Sequence, residues 1–228
     1  MAISLKLLKK RKNKRGFFIT FEGIEGSGKS THIKLLAEFL KEKGFDVIIT
    51  KEPGGTPIGE QIRKILLDPK NKTLTGKTEL FLLLANRAQH IAEKIVPYLY
   101  KGFVVISDRY ADASIAYQGG GRGIDTQIIN NLNKFVTENI FPDITILMDV
   151  DLKKGIKSAR MKNDFKLGDR IESESLRFHK RVQNEYYKLA AKEPERIVLV
   201  KLKRNINETQ NIIRKTIINR MKRYGFKI

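Results

Sequence analysis

Residues 17–31 read FFITFEGIEGSGKST, and this stretch decides the fold. Residues 23–30 have the spacing Gly, four residues, Gly-Lys-Ser, the pattern of a loop whose backbone N–H groups cradle phosphates. An apolar run of strand length, residues 16–22, precedes the loop. Residues 31–43 follow it with apolar side chains at helical spacing. Strand, glycine-rich loop and helix in this order are the context that the pattern requires.

The loop pattern assigns chemistry to individual residues. Lys29 is expected to reach the outer phosphates of a nucleotide, and the Ser30 hydroxyl is expected to ligate Mg²⁺. Because Ser30 opens the following helix, the helix N-terminus also favours an anion there. The predicted ATP-binding residues are Gly23, Ile24, Glu25, Gly26, Ser27, Gly28, Lys29, Ser30 and Thr31.

Length and composition limit the class of protein. The 228 residues fit one domain, and the absence of cysteine excludes a disulfide framework and thiolate chemistry. Apolar runs stay well below the ~18 residues of a membrane span. We therefore expect a cytoplasmic protein that is not bound to a membrane.

The net charge of +20 is concentrated at the two ends of the chain. Residues 1–15 carry seven basic side chains and no acid, and residues 201–228 carry nine basic side chains and one acid. A Lys-rich solvated surface accounts for this distribution better than a dedicated nucleic-acid-binding site does. We predict a basic N-terminal extension, residues 1–15, followed by a single domain, residues 16–228.

Five apolar, β-branched runs recur along the chain. Such short continuous runs, alternating with helical patterns, are typical of a parallel sheet buried on both faces. We therefore predict an α/β fold: the three-layer sandwich of P-loop NTPases, with a five-stranded parallel sheet flanked by helices. The predicted strands are Phe17–Phe21, Val47–Thr50, Phe103–Ser107, Ile144–Val150 and Ile197–Val200.

Helical spacing predicts a long helix over Thr78–Leu99, bent or ended by Pro97, and further helices over Asp125–Asn139 and Leu176–Lys192. A capping box over residues 207–210 starts the last helix. The basic stretch at about 153–170 contains a glycine and is weakly patterned, and we expect a mobile loop within a helical hairpin there, which would act as a lid.

A second motif, residues 104–110, reads VVISDRY. A strand that ends in Asp can place a carboxylate near the water shell of a bound metal, so Asp108 joins Ser30 as a predicted Mg²⁺ site. Arg109 can fork onto a phosphate. Asp149 also ends a predicted strand and is the rival; the adjacent arginine favours Asp108.

Three further segments supply candidate substrate contacts. Residues 52–56, EPGGT, form a tight turn suited to line a second substrate's phosphate, with Arg63 in the following helix. Ser114, Tyr117 and Gln118 share one helical face and can contact a base edge and a sugar. In the lid, a cation delivered by loop closure is expected to act on the transferring phosphoryl group. Its candidates are Arg160, Lys162, Lys166 and Arg170.

The three histidines, His32, His90 and His179, lack metal-ligand spacing and are interpreted as structural or solvated. The residues predicted to act in catalysis are Lys29, Asp108, Arg109 and Arg160.

Taken together, these motifs resemble the thymidylate kinase family from about residue 16 to residue 192. The resemblance rests on FEGIEGSGKST, EPGGT, the NRAQH helix, DRYADASIAYQGGGRG and DRIE. It implies phosphorylation of dTMP with ATP and Mg²⁺ on a P-loop α/β fold, in a homodimer. The loop carries Glu25-Gly26-Ser27 without an arginine, and Arg160 lies in the lid, as in the bacterial type whose lid supplies the basic group.

The resemblance also implies residue roles. Glu25 is expected near the dTMP sugar, Arg87 on the thymine and Arg109 on the dTMP phosphate. Tyr117 is expected to pack where a ribose 2′-OH would lie. The dTMP-binding residues are predicted to be Glu25, Glu52, Arg63, Arg87, Arg109, Ser114, Tyr117 and Gln118.

The chain departs from the family pattern at the base site. Leu83 stands where the family usually has an aromatic ring to stack on the base, and Phe81 lies two residues earlier. Ala113 replaces a common serine.

Two alternatives remain open at this point. The phosphate loop alone does not exclude another nucleoside monophosphate kinase, because the discrimination rests on Arg87, Tyr117, Ser114 and Gln118. The net charge also suggests an ATP-gated nucleic-acid-binding protein, although the YQGGGRG segment argues against it.

Overall fold

The computed structural model describes residues 16–162 and 169–228. Its centre is a five-stranded parallel sheet, as the sequence predicts, and the structure gives the strand order as β2-β3-β1-β4-β5. The strands are β1 Phe17–Glu22, β2 Val47–Lys51, β3 Val104–Asp108, β4 Ile144–Asp149 and β5 Ile197–Lys201. Residues 1–15 and 163–168 lie outside the described part of the chain.

The central position of β1 positions the site. β1 pairs with β3 on one side and with β4 on the other. Phe21 is in register with Asp108, and Glu22 with Leu147. The carboxyl ends of all three strands therefore meet at one edge of the sheet, where open α/β sheets bind ligands.

Helices cover both faces of the sheet and complete the three layers. Alternate residues of β1 point to opposite faces, so Phe17, Ile19 and Phe21 join one core cluster while Phe18 joins another. The described α-helices are α1 Lys29–Glu42, α2 Pro57–Leu67, α3 Gly76–His90, α4 Val96–Tyr100, α5 Ala111–Ser114, α6 Thr126–Thr137, α7 Leu152–Lys162, α8 Leu176–Lys192 and α9 Ile206–Arg223. A π-helical segment, Ile115–Gly121, continues α5.

Each layer follows from the apolar spacing of its helices. α1 and α9 bury their apolar stripes, including Ile33, Leu36 and Ile213, in the cluster beneath β1. α3, α6 and α8 bury Leu84, Ile129 and other apolar side chains in a second cluster on the opposite face.

The predicted long helix over Thr78–Leu99 is helical throughout but not uniform. α3 passes into a π-helical segment, Ile91–Ile95, which passes directly into α4. Pro97 does not end the helix, which continues to Tyr100, because it lies in the first turn of α4, where its missing N–H is tolerated.

The first part of the predicted lid is helical rather than a loop. α7 runs to residue 162, and Gly155 on it packs against the glycine-rich loop. A Cβ at Gly155 would lie 3.0 Å from the Glu25 carbonyl oxygen and 3.0 Å from Val150 Cγ1. Close packing on that loop explains a helix that a weak, basic pattern did not predict. Within residues 16–162 and 169–228, no helix combines the length and the apolarity that crossing a membrane requires.

Candidate active site

The glycine-rich loop connects β1 to α1 at the sheet edge. Gly26 and Gly28 have φ angles of 68° and 81°, which glycine adopts without strain. Gly28 occupies the N-cap of α1 and has no side chain with which to cap it. The first N–H groups of α1 therefore face an anion site, as phosphate binding requires.

Lys29 lies folded back inside the loop. Its side chain is buried, and Nζ donates to the carbonyl oxygens of Gly23 at 3.1 Å and Ile24 at 2.9 Å. Burial, together with the nearby Arg109 charge, lowers the pKa of Lys29 to about 8. A weaker bond to Ser27 Oγ at 3.4 Å adds a third partner. The lysine is therefore held by neutral acceptors that a phosphate can replace.

A hydroxyl and a carboxylate meet beside the loop. Ser30 Oγ donates to Asp108 Oδ2 at 3.3 Å. Asp149, the rival carboxylate, accepts from the Tyr187 hydroxyl at 2.6 Å. The structure thus brings Asp108 to Ser30, whereas Asp149 is hydrogen-bonded to Tyr187. Oxygen donors of these two kinds fit Mg²⁺, which takes its other ligands from water and substrate phosphates.

Arg109 stands between the phosphate loop and the rest of the cleft. Its backbone has φ 71°, an uncommon value for arginine. Nη1 donates to the Gly23 carbonyl oxygen at 3.0 Å, and Nη2 donates to Glu25 Oε1 at 2.7 Å. The guanidinium lies 4.8 Å from the centre of the Tyr117 ring. This strained backbone and these three contacts aim the cation at the junction of the two halves of the cleft.

Glu25 is the anion that holds this junction together. It accepts from Arg109 and from the Tyr117 hydroxyl at 2.8 Å. Burial would raise the pKa of Glu25, but the charges of Arg109 and Lys29 lower it below its usual value. Glu25 is therefore an ionised partner that positions both side chains.

At the far end of the cleft, Arg87 is buried and fully engaged. Its side chain is 1% exposed. It donates to Glu52 Oε2 at 2.8 Å and to Ser114 Oγ at 3.0 Å. It also donates to Asn133 Oδ1 at 2.6 Å and to the Tyr110 carbonyl oxygen at 2.9 Å. This arginine fixes Ser114 and Glu52 in place in addition to lining the cleft.

Side chains of the neighbouring helices hold the EPGGT turn in place. Glu52 Oε1 lies 2.9 Å from His90 Nδ1, whose Nε2 lies 2.6 Å from Thr50 Oγ1. Arg63 donates to the Pro53 carbonyl oxygen at 2.8 Å. These contacts give His90 the structural role that the sequence suggested.

One open cleft of about 380 Å³ joins these groups. Most residues predicted for ATP, dTMP and Mg²⁺ line it together: Glu25, Gly26, Ser27, Gly28, Lys29, Ser30, Thr31, Glu52, Arg63, Arg87, Asp108, Arg109, Ser114, Tyr117 and Gln118. Gly23 and Ile24 contribute through the carbonyl oxygens that hold Lys29. Leu83 lines the cleft, whereas Phe81 is 61% exposed on the outside of α3.

The lid candidates fall into two groups. Arg170 is buried, donates to the Leu66 carbonyl oxygen at 2.8 Å and pairs with Glu79, so it is a structural cation at the base of the lid. The side chains of Arg160 and Lys162 lie outside the described part of the structure, and so does Lys166.

Glu22 and its partners are functional candidates that sequence reasoning missed. Glu22 is buried and accepts from the Tyr110 N–H at 2.8 Å and the Tyr186 hydroxyl at 2.6 Å. Burial, helped by the Asp112 charge, raises its pKa to about 8. A charged residue that ends an apolar strand was the available signal. The contact between Glu22 and Tyr186 spans 164 positions and has no local pattern.

The fold and the cleft together define a class, the P-loop phosphotransferases that act on nucleotides. The thymidylate kinase family model matches residues 21–213. The chain is 50% identical over 194 residues to thymidylate kinase from Halothermothrix orenii, covering 85% of this chain and 92% of that protein. It is 47% identical over 210 residues to thymidylate kinase from Geotalea daltonii, covering 90% of this chain and 98% of that protein.

A solved structure agrees with the sequence comparisons. Thymidylate kinase from Ehrlichia chaffeensis superimposes with a TM-score of 0.73 at 36% identity, covering 90% of this chain and 99% of that chain. The chain therefore belongs to the thymidylate kinase family, as the motifs predicted. The family assignment confirms a phosphotransferase and removes support for an ATP-gated nucleic-acid-binding protein.

Proposed function

We propose that the cleft binds ATP on the phosphate loop and dTMP at its far end, and that it transfers the γ-phosphoryl group to the dTMP phosphate. The observation that carries this proposal is the placement of Arg109. It lies between the loop that holds Lys29 and the pocket that holds Ser114 and Gln118.

On the donor side, the phosphates would bind the N–H groups of the loop and the start of α1, and Lys29 would transfer its donors from carbonyl oxygens to phosphate oxygens. Ser30 and Asp108 would hold Mg²⁺, the carboxylate acting directly or through water. When bound, the ion neutralises charge on the transferring group.

On the acceptor side, Arg109 would exchange its bond to Glu25 for the dTMP phosphate. Tyr117 would then pack against the deoxyribose, and Leu83 would replace an aromatic ring as the apolar wall of the base site. Glu52 and Arg63 would fix the EPGGT turn beside the acceptor, and Arg87 would hold the base-reading Ser114.

Phosphoryl transfer here requires alignment more than proton abstraction. The dTMP phosphate is already an anionic nucleophile, so charge neutralisation and exclusion of water dominate. We propose that residues 16–228 form one catalytic domain, with 1–15 as an extension. Its lid, residues 153–170, closes and brings Arg160 onto the transition state.

We also propose a homodimer that works in the cytoplasm, where its nucleotide substrates are available. α2 packs on α3, which packs on α6. These helices expose large apolar side chains, and two copies of such a face can cover one another. The exposed side chains are Ile58, Ile65, Phe81, Ile128 and Phe135. Phe135→Glu should shift the mass measured by light scattering from dimer to monomer; an unchanged mass would exclude this face.

An acceptor panel tests the function directly. Purified protein with ATP and Mg²⁺ should phosphorylate dTMP with the highest kcat/KM among dTMP, dUMP, UMP, CMP, AMP and GMP. A higher value for a purine or ribonucleotide acceptor would identify another nucleoside monophosphate kinase.

A further inference from the structure

A buried carboxylate on α3, Glu79, connects three parts of the acceptor end. Its side chain is 1% exposed. Oε1 accepts from Gln118 Nε2 at 2.8 Å, and Oε2 accepts from Arg122 Nη2 at 3.1 Å. The same carboxylate pairs with Arg170 at the base of the lid. Glu79 is thus the common partner of Gln118 in the cleft, of Arg122 after the GGG run at residues 119–121, and of Arg170 at the base of the lid.

The ionisation of Glu79 determines which way the Gln118 amide points. Burial would raise the pKa of Glu79, but hydrogen bonds from Arg122, Gln118 and Arg170 lower it below its usual value. A carboxylate accepts hydrogen bonds and cannot donate, so the Gln118 nitrogen must face it. The amide oxygen then points away from Glu79. Among the residues that the structure describes, this oxygen is buried without a hydrogen-bond partner, and Gln118 lines the cleft.

Ser114 supplies the opposite polarity beside Gln118. Its Oγ accepts from Arg87 at 3.0 Å, which leaves its own O–H available to donate. The base end therefore offers one acceptor and one donor. A thymine or uracil edge matches this pair, because a ring N–H lies between two carbonyl oxygens. A cytosine edge has a ring nitrogen lone pair at that place, which would face the Gln118 oxygen.

We propose that Glu79 is a positioning residue for base specificity. By fixing the Gln118 amide, it makes the site accept nucleotides whose base has a ring N–H and reject those with an unprotonated ring nitrogen. The inference rests on the proposed function, because it requires the acceptor base to lie against Gln118. A buried polar group left facing a lone pair is costly, which is the basis of strong discrimination.

Glu79→Gln tests the orientation. The new amide can donate as well as accept, so Gln118 is free to turn its nitrogen toward the cleft. We expect the ratio of kcat/KM for dTMP to kcat/KM for dCMP to fall at least about tenfold, with gain on dCMP as well as loss on dTMP. Glu174→Gln is the matched control, because Glu174 also pairs with Arg122 but leaves the bond from Gln118 to Glu79 intact.

Further variants keep the test decisive if Glu79→Gln does not fold. Glu79→Gln combined with Arg122→Gln removes one charge of each sign from the cluster, and Arg122→Gln alone is its control. Gln118→Met removes the amide while Glu79 keeps both arginines, and it should also lose the preference for dTMP.

The outcomes separate the two proposals. A wild-type protein that does not phosphorylate dTMP would contradict the proposed function itself. With an active wild type, an unchanged ratio in a folded Glu79 variant or in Gln118→Met would overturn the inference. An equal fall in Glu174→Gln would also overturn it, because the effect would then belong to the whole cluster.

Discussion

Raising the pH above 8 should weaken capture of ATP by removing the proton from Lys29. Burial and the neighbouring Arg109 lower the pKa of this lysine from 10.5 to about 8 in the empty enzyme. That difference corresponds to about 3 kcal/mol in favour of the neutral amine. Because the ammonium attracts phosphate, kcat/KM for ATP should fall about tenfold for each pH unit above 8. At saturating ATP, kcat should hold constant to higher pH, since bound phosphates favour the protonated form.

The same titration should change the stability of the empty enzyme with a defined sign. The pKa of Lys29 is lower in the folded chain than in the unfolded chain, so the unfolded chain binds more protons between pH 8 and 10.5. This group should therefore raise the free energy of unfolding as the pH rises through that window, by up to about 3 kcal/mol. Saturating ATP should reduce the effect, because it restores the proton to the folded state.

The pH profile of kcat/KM for ATP is measured from initial rates between about pH 6.5 and 9.5, with ATP varied at saturating dTMP and Mg²⁺. The free energy of unfolding is measured by urea unfolding over a higher pH range. Lys29→Arg is the control, because its guanidinium keeps its charge. Its residual kcat/KM should be flat above pH 8. A flat wild-type profile, or the same fall in Lys29→Arg, would refute the assignment; the second result would point to Glu22, whose pKa is also about 8.

Three other substitutions separate the remaining charged groups. Arg109→Ala should lower kcat/KM for dTMP by a factor equivalent to about 2–3 kcal/mol and leave the KM for ATP nearly unchanged. A defect confined to the KM for ATP would contradict its role. Glu22 has a folded pKa of about 8, above its unfolded 4.5, so the free energy of unfolding should fall as the pH rises between those values. Glu22→Gln should remove that fall in urea titrations, and an unchanged slope would exclude the group. Arg160→Ala should reduce kcat by a factor equivalent to about 2–4 kcal/mol with little change in either KM. A near-wild-type kcat would show that another residue is the lid cation.

The strands were predictable because a sheet covered on both faces requires continuous apolar runs. All five predicted strands begin and end within one residue of the observed ones. α7 was missed because its sequence, LKKGIKSARMK, has few apolar positions, and its packing depends on Gly155 meeting the phosphate loop. A glycine that is selected by a neighbour distant in the sequence leaves no periodic signal.

The site residues also differ in whether local sequence or distant contacts place them. Residues carried by local motifs, such as Lys29 and Arg109, could be predicted because each motif encodes its own geometry. Glu79 could not, since its partner Arg170 lies 91 positions away and the pairing exists only in the folded chain. Glu22 and His179 could not be predicted as site residues either. Glu22 is buried near Arg109 and His179 is buried beside Glu25, and both contacts join residues that are far apart in the sequence.

The cations of the empty cleft are held on internal acceptors, and this explains how the site can be both stable and receptive. Lys29 donates to two backbone carbonyl oxygens, and Arg109 donates to Glu25 and a third carbonyl oxygen. Binding of phosphate therefore exchanges hydrogen bonds rather than creating them, so the net gain is the difference between a phosphate and the present acceptor as partner. That difference favours phosphate most where the present acceptor is uncharged. Lys29 should accordingly contribute more to capture of the triphosphate than Arg109 contributes to capture of dTMP, because Arg109 must first leave an ionised carboxylate.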